Sequence, residues 1–238
     1  MNRSRPATAA TTTAVALAVA GVALATYPAL RPYGPESGAA GAADFASTAW
    51  LLSHALGMVG FVAIAVALRV ASAAPPWPWT GRPVREAESR AWLAVALLLP
   101  YYGAEAYGLH AVGRHALDSG DAGVLSVADA FRYAPLEVTT FGLGLLVLVL
   151  VGGRLAHGLW HTGRLGRAGG VLAGLGLVTY LPQFFGTPGV RVLHGVVLGA
   201  GLVLVALATA RAGRPPATIP AAGTTLAVAE PAPVLSRP

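Results

Sequence analysis

Apolar residues in this chain fall in blocks about 20 residues long, which is the length a helix rising about 1.5 Å per residue needs to cross a hydrocarbon layer roughly 30 Å thick. Blocks of that size leave too little polar surface for a water-soluble fold. Only 11% of the 238 residues are charged, against roughly 25% in a typical soluble domain.

Six blocks can be placed: about Thr12 to Leu30, Phe45 to Ala71, Ala91 to Val112, Ala134 to Val151, Ala168 to Phe185 and Val190 to Ala210. The last two are separated by Gly186-Thr187-Pro188-Gly189, which cannot continue a helix, so they form a helical hairpin. The expectation is an all-α, polytopic bundle of six transmembrane helices within residues 12–211, with residues 1–11 and 212–238 as cytoplasmic termini. The Pro-, Ala- and Thr-rich tail reads as disordered. Small residues at Ala23 to Ala25 leave signal-peptide cleavage of the first helix open. No internal repeat is evident.

Orientation follows from the arginines, which supply all sixteen basic residues. With the amino terminus inside, Arg3, Arg5, Arg69, Arg82, Arg85, Arg90, Arg154, Arg164, Arg167, Arg211, Arg214 and Arg237 lie on the inner side, and Arg31, Arg114, Arg132 and Arg191 on the outer. Twelve against four matches the enrichment of positive charge in cytoplasmic loops. The outer loops also hold Glu36, Asp44, Asp118, Asp121 and Asp129. A multi-pass protein of the cell membrane with both termini inside is expected. The net charge of +6 is thus a topology signal, with lipid rather than nucleic acid as the partner. The stretch Ala73 to Arg90, with Pro75-Pro76-Trp77-Pro78-Trp79, reads as a non-helical segment along the inner interface.

Ionisable groups are costly in hydrocarbon and turn toward the bundle interior, so those within the blocks are the candidates for function. His54 and Glu105 each lie about eight residues inside the outer end of a block, or roughly 12 Å deep. Glu137 and His194 lie roughly 6 to 8 Å below the same surface. Tyr101 and Tyr102 precede Glu105 on neighbouring helical positions, and Tyr180 and Gln183 close the fifth block. Together these eight residues predict a polar pocket in the outer leaflet that binds a small ligand, carries protons, or only fixes helix register. His110, about 140° around a regular helix from Glu105, belongs with Arg114 on a separate face.

Cysteine is absent, which removes thiolate ligands and nucleophiles. Any metal would be held by His54, His194 and either Glu105 or Glu137, a donor set suited to zinc or iron. A b-type haem would need His54 and His194 as its axial pair. At the inner face, His157 and His161 share one helical face in an Arg- and Trp-containing loop that suits anionic headgroups. Glycines at four-residue spacing, Gly166, Gly170 and Gly174, and Gly195 with Gly199, permit close helix packing or self-association into a homo-oligomer.

The run Tyr102-Gly103-Ala104-Glu105-Ala106-Tyr107-Gly108-Leu109-His110, with Leu181-Pro182-Gln183-Phe184-Phe185 and Arg191-Val192-Leu193-His194-Gly195, resembles small six-helix membrane proteins of high-GC bacteria that have no known activity. The resemblance implies the fold and location alone. Pro135-Leu136-Glu137 is similar to part of the Pro-Leu-Glu-Glu motif of small membrane-bound lycopene cyclases, with Val138 in place of the second Glu. That likeness implies an enzyme alternative in which Glu137 or Glu105 protonates an alkene.

Overall fold

A computed structural model describes residues 4–73 and 82–213, and its regular structure among these residues is helical throughout. The long helices are α1 (Ser4–Leu30), α3 (Thr48–Ala73), α4 (Arg82–Gly103), α7 (Pro135–Leu159), α8 (Gly163–Val178) and α9 (Pro188–Ala212). Shorter elements stand between them: α2 (Gly38–Ala46), α5 (Leu109–Ser119), α6 (Val127–Arg132) and two 3-10 turns, Ala122–Ser126 and Pro182–Phe185.

The six long helices form a closed ring. Each packs on the next in chain order, and α9 returns to pack on α1. Gly213 lies against Ala10, so the first and last helices bring their chain-terminal ends to the same end of the bundle. Close approach depends on glycine pairs: a Cβ on Gly21 would stand 2.7 Å from the Gly199 carbonyl, and one on Gly152 would stand 2.6 Å from that of Gly174. Gly170 meets Leu159 and Gly195 meets Pro28, so the glycine faces singled out in the sequence serve packing within the chain. The interior is otherwise Leu, Ala and aromatic, while Val19, Val59, Leu93, Leu146, Leu175 and Val196 point outward around the circumference.

Four helical spans are long and apolar enough to cross a membrane: Thr8–Leu30, Thr48–Ala73, Pro135–Leu159 and Pro188–Ala212. The third and fifth blocks differ for separate reasons. In α4 the apolar run begins after a charged first half, then continues through a π-helical turn (Ala104–Gly108) into α5, so the helical path is unbroken from Arg82 to Ser119. The 16 residues of α8 span about 24 Å and are extended by the Pro182–Phe185 turn.

Some local expectations change. Arg82 to Arg90 is helical, because Pro83 sits in the first turn, where a missing N–H costs nothing; residues 74–81 of the proline-rich stretch lie outside the described residues. So do residues 214–238, the tail expected to be disordered. His157 and His161 do not share a helical face, since α7 ends at Leu159 and His161 lies in the following turn. The hairpin break is present, with Thr187 capping α9 and Pro188 at its first position.

A second, smaller core caps one end of the ring. Phe45 of α2, Trp50 of α3, Leu109 and Ala116 of α5, and Leu125 and Ala128 beyond it form one buried cluster. Here α2 and α5 touch so closely that a Cβ on Gly113 would stand 2.6 Å from the Ala46 nitrogen.

Candidate functional site

Between this cap and the ring lies a cavity of about 580 Å³. Its walls are largely aromatic, from Tyr27, Tyr101, Tyr102, Phe141 and Phe184. Tyr101 stacks on Phe141, with ring centroids 4.0 Å apart. Polar groups enter from Arg31, Glu36, His54, Glu105, Arg132 and Arg191.

Glu105 sits in the π-helical turn, which follows Pro100 and Gly103 and ends on Gly108, residues that weaken regular helix. The wider turn frees the Glu105 carbonyl, and the buried Trp50 indole N–H donates to it at 2.7 Å. It also voids the 140° separation from His110, which assumed a regular helix. His110 Nδ1 lies 3.2 Å from the Phe45 carbonyl, so it ties α5 to α2.

The Glu105 carboxylate is held bidentately by Arg132, through Nε at 2.6 Å and Nη2 at 2.8 Å. The remaining Arg132 nitrogen, Nη1, donates to Glu36, and Glu36 accepts from Arg31 at 2.7 Å. Alternating charges thus run Arg31, Glu36, Arg132, Glu105 along one side of the cavity. Burial alone would raise the Glu36 carboxyl, but Arg132 and Arg31 outweigh it and hold the group below the usual carboxylate range. The Arg31 guanidinium lies over the Trp50 ring at 4.7 Å, so the cation is stabilised on its open side too.

His54 is buried beside this row. Its Nδ1 lies 2.8 Å from the Trp50 carbonyl, an acceptor only, so Nδ1 carries the hydrogen and donates. Nε2 faces Glu105 Oε2 at 3.9 Å. Tyr27 packs edge-on against His54 and Tyr102.

Of the eight residues the sequence singled out, His54, Tyr101, Tyr102 and Glu105 line the cavity. Tyr180 is buried behind it, its hydroxyl 3.1 Å from that of Tyr102, and Gln183 is buried in the turn after α8. His194 is turned away, its Nε2 2.8 Å from the Gly176 carbonyl, where it links α9 to α8. Glu137 is exposed in the first turn of α7, where its charge suits the helix N-terminus, and it does not line the cavity.

These placements bear on cofactors. His54 and His194 are separated by Tyr102 and Tyr180, with His54 6.2 Å from the Tyr102 ring and His194 5.4 Å from the Tyr180 ring. They do not face a common space, as an axial haem pair must. Among the described residues no group of three His, Cys, Asp or Glu side chains is placed to hold a metal ion, so the set His54, Glu105 and His194 is not assembled.

The charged half of the site is what sequence reasoning missed. Arg31, Arg132 and Arg191 were counted as loop charges, and Glu36 as an outer acid. A signal did exist: these are three of the four arginines that stand against the positive-inside preference, and all three line the cavity. No family model matches the chain, and neither the curated proteins nor the solved structures include one significantly similar to it.

Proposed function

We propose that this is a six-span protein of the cell membrane, with both termini cytoplasmic, whose capped end faces outward and binds a small molecule in the cavity. The outward-facing apolar belt and the four long spans support membrane insertion. The unbroken Arg82–Ser119 path and the closed ring support counting α4 and α8 as spans as well. The arginine asymmetry supports the orientation.

The observation that carries the binding reading is a cavity of about 580 Å³ in which aromatic walls meet fixed charged groups, the mixture found in small-molecule sites. Packing alone does not need a space of this size. Proton carriage through Glu105 draws less support, since one guanidinium occupies both of its oxygens. The enzyme alternative through Glu137 draws less again, because that side chain is exposed outside the cavity.

Because the chain has no cysteine, single-cysteine variants report cleanly. Tyr101→Cys, on the cavity wall, should react with a small charged thiosulfonate added outside intact cells, whereas Val59→Cys, on the apolar belt, should not. An unreactive Tyr101→Cys in a folded protein would overturn the reading of an outward-open pocket.

A further inference from the structure

We infer that the ligand is a small monoanionic hydroxy acid with an aromatic or apolar body, its anionic group meeting Arg191 and its hydroxyl donating to His54 Nε2. This rests on the reading that the cavity binds a small molecule, and it specifies which class.

The charge follows from counting. Arg31, Arg132 and Arg191 face Glu36 and Glu105, which leaves one positive charge on the wall when His54 is neutral. That charge belongs to Arg191. Arg31 and Arg132 are each paired with carboxylate, while Arg191 bonds only to backbone carbonyls, through Nε to Gly186 at 3.2 Å and through Nη2 to Phe184. Its Nη1 edge has no protein acceptor among the described residues. A half-buried guanidinium with free N–H groups on a cavity wall suits a carboxylate or another single anion.

The hydroxyl follows from His54. His54 is 2% exposed, its Nδ1 hydrogen is spent on the Trp50 carbonyl, and in the neutral ring Nε2 is a bare acceptor facing the cavity. Glu105 Oε2, at 3.9 Å, is too distant to bond to it and is itself an acceptor already occupied by Arg132. One vacant acceptor calls for one donor. A hydroxyl supplies it without bringing a charge, whereas an ammonium would add a cation to a wall that already carries one in excess. The rings of Tyr101, Tyr102 and Phe141 line the same cavity and offer an apolar surface to the ligand's body.

The test is calorimetric titration of the detergent-purified full chain with 4-hydroxyphenylacetate, and with three relatives of similar size: phenylacetate, 2-(4-hydroxyphenyl)ethanol and tyramine. Loss of either the hydroxyl or the carboxylate should weaken binding about tenfold, the usual worth of one well-made polar contact, and tyramine should bind weakest. Arg191→Gln should reduce the acid to the level of the neutral alcohol. His54→Phe should erase the advantage of 4-hydroxyphenylacetate over phenylacetate; if that variant fails to fold, the comparison of these two acids on wild type decides the donor. Equal binding of all four compounds would overturn the hydroxy-acid assignment while leaving a pocket selected by shape. Binding by none of them would also overturn it, and reactivity of Tyr101→Cys then decides separately whether the pocket itself stands.

Discussion

At the capped end Arg132 joins Glu36 and Glu105, and at the opposite end Glu86 joins Arg82, Arg90 and Arg154. The pairs are chemically alike, and their surroundings are not. Arg132 and Glu105 side chains are 14% and 8% exposed, whereas Arg82 and Arg154 are 87% and 43% exposed. Water and salt screen the second network, and its long side chains lose little by letting go. In the first, Arg132 and Glu105 have given up most of their water, while the Glu36 side chain stays 30% exposed, so the Arg132–Glu105 contact forms a rigid wall whose removal leaves an unpaired buried charge. A fixed wall can position a ligand; a screened cluster cannot hold one as firmly.

The contrast can be broken by mutation. Arg132→Ala should have the largest effect, a loss of about 3–5 kcal/mol in denaturant unfolding, because Glu105 would be left buried without a partner. If it cost no more than a surface substitution, the two ends would not differ as described. Gly199→Val crowds the Gly21 backbone midway between the ends and should cost about 1–3 kcal/mol, a measure of general bundle packing against which the first effect is judged.

Acid should act on the capped end. Burial works against ionised Glu36, but Arg132 and Arg31 outweigh it, so its folded pKa lies below the ordinary value of 4.5. The stability it contributes is therefore complete above that value and is lost as the pH falls toward the lower folded one. Thermal unfolding followed from pH 7 to pH 3 should show this decline, and Glu36→Gln should flatten it. The smallest effect should come from Glu86→Gln, which should leave unfolding in high salt unchanged, since salt already screens that network.

How much was legible in the sequence follows the same division. The long helices were visible because a membrane sets their length, and the break at Gly186 to Pro188 because proline and glycine act locally. The cap was not visible: α2 and α6 are short, and α5 carries Arg114, His115 and Asp118, so none forms an apolar block. Counting residues from a block's end gave depth but not direction around the helix. That is why His54 and Glu105 do meet at the cavity, while His194, at a similar depth to Glu137, turns to Gly176 and Glu137 turns outward. The outer position of Arg132 marked it in the sequence, but its pairing could not be read there, because Glu36 and Glu105 are distant in sequence and only the fold joins them.

The most direct test of the central claim, an outward-facing charged pocket at the capped end, is sidedness in living cells. Tyr133, at the cavity rim, is 74% exposed, and Ser89 is exposed beside the Glu86 network. A membrane-impermeant maleimide should label Tyr133→Cys in intact cells and Ser89→Cys only after permeabilisation. The reverse pattern would place the pocket in the cytoplasm and contradict the account.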